Sequence, residues 1–367
     1  MPKPLTRTLL TLATGLVLAA CSAPNPYYDG SRSHHRPGGF QNNHRDFETK
    51  SLAELVRWRL AAYQANRPAP ALAPTPRVAP DLEFLRANAA AGSAMQPALT
   101  WIGHASVLAQ FGGLNLITDP MFSQRASPLS WIGPTRAQPP GVALAELPRI
   151  DIVMISHNHY DHLDVASVQA LQAQNGGPPL FVVPLGLGPW LMARGITRVV
   201  ELDWWQAHSV GAVELVLTPV RHWSGRGLTD RMATLWGGFA VFAPDFHLFF
   251  AGDTGYSPDF TDIRQRFAAR QAEGGGFDIA LLPVGAYAPR WFMADQHIDP
   301  TQAVQVHRDL GAKRSLGVHW GTFELTDESL DAPVAALAAA RAQAGLAEAD
   351  FFLLAIGQTR RLPRRSP

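Results

Sequence analysis

Apolar residues through the middle of the chain come in short runs bounded by Gly, Pro, Asp or His. Residues 99–102, 106–111, 115–118 and 150–156 open the series. Residues 181–184, 198–202, 213–219, 235–242, 248–251, 279–284 and 315–318 continue it. Such runs, rich in Val, Ile, Leu and Phe, predict strands. Helical spacing falls between or after them, at residues 165–174, 301–310 and 330–342. Hairpins mixed with βα units predict an α/β domain over residues 98–360, with two packed sheets and helices outside. Upstream, Leu52, Leu55, Val56, Leu60 and Tyr63 recur at helical spacing. They predict an amphipathic helix packed on the main body, with a membrane-surface role as the alternative. Prolines crowd residues 68–80 and exclude regular structure there. Residues 51–97 therefore read as an N-terminal extension of one helix and a Pro-rich segment.

The first residues carry a different pattern. Lys3 and Arg7 precede an apolar run over residues 9–20, which ends in Leu18-Ala19-Ala20-Cys21. A run this short does not span a bilayer, for which about 20 residues are needed. It resembles a bacterial lipoprotein signal over residues 1–20, cut before a lipidated Cys21. That reading places the protein in the bacterial cell envelope, anchored through Cys21, on the outer membrane facing the periplasm if the host is Gram-negative. Residues 21–50, rich in Ser, Asn, Pro, Gly, His and Arg, read as a flexible tether. His34, His35 and His44 lie there, and a solvated linker outweighs metal scavenging for them.

Charge and cysteine content narrow the functions. Lys and Arg total 31 against 30 Asp and Glu, so no net field draws nucleic acid. Cys21 is the single cysteine, which excludes an intramolecular disulfide and a cysteine-ligated metal in the folded body. Histidine carries the chemistry instead. The apolar run Ile150-Asp151-Ile152-Val153-Met154-Ile155 leads into Ser156-His157-Asn158-His159-Tyr160-Asp161-His162. In extended backbone, residues two apart face the same way, so His157 and His159 converge while Asp161 and His162 face a second position. Such a group at a strand end is costly to bury unless metal satisfies it. Three further polar residues close apolar runs: His222, Asp253 and His319. Asp119, in Thr118-Asp119-Pro120, reads as an acceptor that orients the ligand loop. His104 is either a positioning residue or a satisfied buried histidine.

The order of these motifs is similar to the metallo-β-lactamase superfamily. Longer stretches resemble one branch of it: Trp101-Ile102-Gly103-His104-Ala105, Glu201-Leu202-Asp203-Trp204-Trp205, the segment from Gly252 to Tyr256, that from Gly285 to Met293, and His319-Trp320-Gly321-Thr322-Phe323. That branch is the N-acylphosphatidylethanolamine-hydrolysing phospholipase D family. The resemblance covers roughly residues 98–357 and implies an αββα sandwich holding two Zn2+ per chain. By position it implies His157, His159 and His222 at the first zinc, Asp161, His162 and His319 at the second, and Asp253 bridging both. It also implies that Tyr160, Gln296 and His297 lie near the substrate head group.

Five imidazoles and two carboxylates suit zinc, and His159 stands where a diiron relative would carry Glu. Two metals lower the pKa of a shared water toward about 7, so hydrolysis needs no nucleophilic serine or cysteine. Asp161 is expected to orient that water, and His297 or a water to protonate the departing alkoxide. The expected partners are a phospholipid substrate and a membrane surface, with a homodimer left open. The apolar residues Trp291, Phe292 and Met293 line an acyl groove or fill the core. A metallo-lactonase or carboxylic-ester hydrolase is the alternative reading, and a non-catalytic envelope binding lipoprotein is a third.

Overall fold

The computed structural model describes residues 24–44 and 50–365. Cys21 and the apolar run before it lie outside the described residues, and no described helix is long and apolar enough to cross a membrane. A short hairpin, β1 (His35–Arg36) and β2 (Gly39–Phe40), precedes helices α1 (Leu52–Gln64) and α2 (Leu82–Ala90). The first large sheet takes β3 (Ala98–Gly103), β4 (Ser106–Phe111), β5 (Leu114–Thr118), β6 (Ile152–Met154), β7 (Leu180–Pro184) and β8 (Val199–Leu202). Helices α3 (Val165–Gln172) and α4 (Gly188–Met192) connect its later strands. The second sheet takes β9 (Ala207–Val210), β10 (Val213–Thr218), β11 (Gly238–Ala243), β12 (Phe246–Phe250), β13 (Ile279–Pro283), β14 (Ser315–Val318) and β15 (Phe351–Phe352). Helices α5 (Asp259–Arg266), α6 (Ala268–Gln271), α7 (Arg290–Met293), α8 (Pro300–Leu310) and α9 (Ala332–Ala344) fall among these strands. The last strand, β16 (Thr359–Arg361), returns to the first sheet and pairs antiparallel with β3.

Both sheets therefore have seven strands, ordered β16-β3-β4-β5-β6-β7-β8 and β15-β14-β13-β12-β11-β10-β9. Antiparallel hairpins form one side of each, and parallel pairs joined by helices form the other. Alternating side chains of the first sheet feed different cores, as the two-residue period requires. Leu180 and Val182 of β7 join the large cluster shared with the second sheet, while Phe181 and Val183 join a smaller one with Leu85 of α2, Val168 of α3 and Leu191 of α4. Beyond the second sheet, Phe260 and Ile263 of α5, Val306 of α8 and Leu337 of α9 continue the large cluster. The result is the expected αββα sandwich. Strands β6, β7 and β13 are buried along their whole length because helices cover their outer faces, which explains their unbroken apolar sequence.

Two expectations upstream need correction. Residues 24–44, read as a tether, pack on the body through buried long-range bonds. His34 and His35 are buried, with Nε2 atoms 2.6 and 3.1 Å from the two carboxylate oxygens of Asp203. The guanidinium of Arg32 lies 3.1 Å from the same carboxylate, and the His34 ring stacks on Trp204. These histidines clamp the arm to the body through Asp203.

Helix α1 forms, with a capping box of Ser51 and Glu54, but in the opposite orientation. Trp58 and Ala62 face inward against Phe292 and Met293, and Trp58 Nε1 donates to Asp327 at 2.8 Å. Leu52, Val56, Leu60 and Tyr63 point outward, Leu52 at 77 % and Tyr63 at 84 % exposure. Phe292 and Met293 are thus core residues beneath α1, while Trp291 stays exposed with Arg57 over its ring.

Candidate metal centre

Strands β6, β10, β12 and β14 end in the loops that carry the seven expected ligands, and the fold brings those loops together. The approach is close. Gly252, at φ +61°, precedes Asp253, and a Cβ there would stand 2.5 Å from the Cβ of Ser156. Only glycine lets the end of β12 pass so near the ligand loop. His104, Asp119 and His319 also take positive φ, of 55°, 31° and 62°. Non-glycine residues hold such backbone only where surroundings fix it. Here the His319 amide donates to the His104 carbonyl at 3.0 Å, and the His104 amide to Thr322 Oγ1 at 2.7 Å.

The donor atoms form two groups that meet at Asp253. His157 Nε2 lies 2.8 Å from His159 Nδ1, which lies 3.3 Å from His222 Nε2. Opposite, His162 Nε2 and His319 Nε2 are 3.1 Å apart, and each is within 3.4 Å of Asp161 Oδ2. Asp253 reaches His162 Nε2 through Oδ2 at 3.0 Å and His319 Nε2 through Oδ1 at 3.2 Å. Its Oδ2 is also 3.8 and 3.9 Å from His157 and His222.

Outer contacts fix which nitrogen each ring turns inward. His162 Nδ1 meets Asp119 Oδ2 at 2.7 Å, and Asp119 also accepts from the Ser156 amide and hydroxyl at 2.7 and 2.5 Å. His157 Nδ1 meets Ser156 Oγ at 2.9 Å, and His222 Nδ1 donates to the Gln296 carbonyl at 3.0 Å. These partners leave Nε2 of His162 and His222 bare, the arrangement seen when outer partners orient metal-binding imidazoles. Asp119 is thus placed as expected. His104 is resolved as a positioning residue, with Nε2 3.0 Å from Asp161 Oδ2.

Three positioning residues had escaped the sequence reading. Ser156 was visible beside the motif. Arg226 donates to the carbonyls of Asn158 and Leu163 at 2.7 and 2.8 Å, tying down the ligand loop. Asn42 brackets His222, accepting from its amide at 3.0 Å and donating to its carbonyl at 2.9 Å. No local sequence signal marks Asn42.

The electrostatics call for cations. Burial pushes His159, His222 and His297 down to about 3 and His157 well below its usual range. Their rings are neutral and offer lone pairs. Burial opposes charge on His162 and His319 too, but Asp253 and Asp161 override it, holding His162 well above its usual value and His319 up to about 9. Asp161 and Asp253 stay well below the carboxylate range in spite of burial, chiefly through His162. Two buried carboxylates thus draw positive charge onto His162 and His319, each of which lies within 3.4 Å of both.

Divalent ions fit this donor set. Nitrogens bound about 2.0–2.1 Å from one tetrahedral ion lie roughly 3.3 Å apart, close to the 3.1 and 3.3 Å separations here and about half an ångström beyond the 2.8 Å pair. Asp253 Oδ1 and His297 Nδ1 are buried without a hydrogen-bond partner among the described residues. Lone pairs facing one another at hydrogen-bond distance are otherwise unfavourable.

The three expected substrate contacts divide. His297 joins the centre, with Nδ1 3.9 Å from Asp253 Oδ2 and its side chain 13 % exposed. Gln296 is buried, its amide oxygen accepting from Trp223 Nε1 at 2.7 Å, and acts on the centre through its carbonyl to His222. Tyr160 turns elsewhere: its hydroxyl donates to the Arg226 carbonyl at 2.9 Å, and its ring lines a separate cavity.

Comparisons with known proteins give the family. Residues 114–320 match the model of the beta-lactamase superfamily domain. An uncharacterized protein of Mycobacterium tuberculosis is 42 % identical over 292 residues, covering 78 % of this chain and 73 % of that one. N-acyl-phosphatidylethanolamine-hydrolyzing phospholipase D 1 of Caenorhabditis elegans is 39 % identical over 236 residues, covering 62 % and 64 %. The mitochondrial enzyme of that name from Saccharomyces cerevisiae is 38 % identical over 238 residues, covering 62 % and 48 %. Among solved structures, an isothiocyanate hydrolase from Delia radicum gut bacteria superposes with TM-score 0.57 over 72 % of this chain and 99 % of that one, at 21 % identity, a likeness of fold. The chain belongs to the beta-lactamase superfamily, as a metallo-β-lactamase-fold, metal-dependent hydrolase that resembles N-acylphosphatidylethanolamine-hydrolysing phospholipase D.

Proposed function

We propose that this protein is a dinuclear zinc phosphodiesterase that hydrolyses N-acylphosphatidylethanolamine-like phospholipids to phosphatidic acid and N-acylethanolamine. The observation that carries the reading is the pair of donor groups sharing Asp253, whose Oδ1 faces His319 and whose Oδ2 lies between His162 on one side and His157 and His222 on the other. His157, His159 and His222 are assigned to one ion, Asp161, His162 and His319 to the other, and Asp253 to both. When bound, two divalent ions supply Lewis-acid stabilisation of phosphoryl oxygen charge and an acidified water. The names of the nematode and yeast relatives support the choice of a phospholipid diester.

The chain's own groups have separate tasks. Asp161, with its side chain 15 % exposed and its Oδ2 held by His104, is the more accessible of the two central carboxylates and orients the attacking water. His297, kept neutral by burial, can donate only a hydrogen bond to the oxygen of the departing alcohol, so the proton that oxygen takes up comes from water, the other source expected for it. Ser156 is no nucleophile, since its hydroxyl is committed to Asp119 and His157. The outward stripe Leu52, Val56, Leu60 and Tyr63 supports contact between α1 and a membrane surface. Anchorage through Cys21 would hold the enzyme there, and fractionation of Cys21→Ser against wild type tests it: release or failed processing is expected, and unchanged membrane retention rejects it.

Purified protein incubated with lipid extract of its host tests the substrate. Release of N-acylethanolamine with matching phosphatidic acid is expected. Fatty acid released in place of both products would reject the reading and favour an ester-cleaving relative.

A further inference from the structure

At the edge of the sandwich opposite the metal centre lies another cavity, of about 290 Å³. On its wall Phe277 leads into β13 and Leu310 ends α8 ahead of β14, whereas Asp253 and His319 follow the far ends of β12 and β14. Arg264 of α5, Ala268 and Gln271 of α6, and Ala272 face the same space. None of these residues takes part in the proposed hydrolysis. At the roughly 30 Å³ that a water occupies in the liquid, the cavity has room for about ten non-hydrogen atoms.

The wall is tightly built. Gly276, at φ +116°, passes so near the end of α8 that a Cβ there would stand 1.9 Å from the Gly311 carbonyl oxygen. Gln271 is 7 % exposed, and its Oε1 lies 2.9 Å from His247 Nδ1 and accepts from Arg365 Nη2 at 3.0 Å. Arg365 can only donate, so the amide cannot be turned round. Its Nε2 is left buried without a hydrogen-bond partner among the described residues, which is unfavourable unless an acceptor reaches it. Arg264 donates to the Arg308 carbonyl at 3.3 Å and forms no ion pair with a carboxylate among the described residues. Asp278, behind the wall, already pairs with Lys313 and Arg365.

We propose that this cavity binds a small monocarboxylate, its oxygens taken by Gln271 Nε2 and the Arg264 guanidinium and its apolar body lying against Phe277, Leu310 and Ala272. The donors decide the class. Both unmatched groups donate, so the ligand must accept, and a carboxylate accepts at two oxygens. Arg264 is the one ionised side chain on the lining, which suits a single negative charge rather than the nearly double charge of a phosphomonoester. The apolar remainder of the wall calls for a body with few polar groups.

Calorimetric titration of the full-length protein tests the proposal. The probes are benzoate and hexanoate, with benzyl alcohol and inorganic phosphate as controls. Two variants are compared with wild type, and melting temperatures verify that each is folded. Arg264→Gln removes the charge at an exposed position. Gln271→Glu keeps an oxygen for Arg365 and replaces the Nε2 donor by a second carboxylate oxygen. At least one carboxylate should bind wild type, about tenfold more weakly in folded Arg264→Gln and not measurably in folded Gln271→Glu, while neither control binds. Binding of benzoate alone identifies an aromatic acid as the ligand, and binding of hexanoate alone a short fatty acid. A carboxylate held at the metal centre instead would ignore both substitutions. Affinity within twofold of wild type in either folded variant would therefore overturn the proposal, as would failure of both carboxylates to bind or equally tight binding of a control.

Discussion

Replacing Asp119 by Asn removes one charge and no volume, and its effect should appear at a metal ion rather than at Asp119 itself. In the native chain Oδ1 accepts from the Ser156 amide, while Oδ2 accepts from His162 Nδ1 and the Ser156 hydroxyl. The Ser156 amide can only donate, so the Asn oxygen must stay opposite it. The Asn NH2 then faces His162 Nδ1, which must give up its proton and accept. A neutral imidazole moves that proton to Nε2, the atom turned toward Asp253 and His319. An Nε2 that carries hydrogen has no lone pair for metal. Flipping the amide instead leaves two buried donors facing donors, at about 1–3 kcal/mol each. Loss of an outer partner typically weakens metal binding about 10–100-fold, or about 1.4–2.7 kcal/mol. Dialysis against graded zinc buffers, with metal counted per chain, reads this directly. Asp119→Asn should hold one ion at free zinc levels where wild type holds two. A variant that keeps both ions with affinities within twofold would refute the tautomer argument.

Asn42→Ala should weaken zinc retention about tenfold, since it leaves the buried His222 amide and carbonyl without partners; metal titration against wild type checks it. Asp253→Ala should be the most damaging single change, lowering two zinc ions per chain to one or none in metal analysis, and an active variant with full metal would contradict its shared position. Asp203→Asn should free the arm over residues 24–44 to protease. In the folded chain burial pushes the Asp203 carboxyl up, but the His34 hydrogen bond and its charge win and hold it below the usual value. Its contribution is therefore present above the unfolded value near 3.9 and lost as pH falls through the lowered one. Proteolysis of the wild-type arm should rise over that acid range and in Asp203→Asn should already be high at neutral pH.

The site was legible because its chemistry is local. His157, His159, Asp161 and His162 fall within six residues after a buried strand, and His222, Asp253 and His319 each follow an apolar run. A rigid strand end displays such residues wherever the rest of the chain goes. The arm was not legible, because its contacts pair residues 168 to 180 positions apart while its composition imitates a linker. Helix α1 offered two apolar stripes at helical spacing, and Phe292 and Met293, far off in sequence, decided that Trp58 and Ala62 faced inward. Strand β9 alternates between exposed and half-buried residues, and β15 and β16 are only two and three residues long, so none gives a pattern distinct from a loop. Tyr160 sits among four ligands, yet as the residue between His159 and Asp161 it turns to the opposite side, against Arg226.

The central claim is attack at phosphorus by water held at the centre defined by Asp253. Hydrolysis of an N-acylphosphatidylethanolamine in isotopically labelled water, with both products resolved by mass spectrometry, tests it most directly. The account predicts label in the phosphate of phosphatidic acid and none in the N-acylethanolamine. Label in the N-acylethanolamine hydroxyl, or in a released fatty acid, would contradict it.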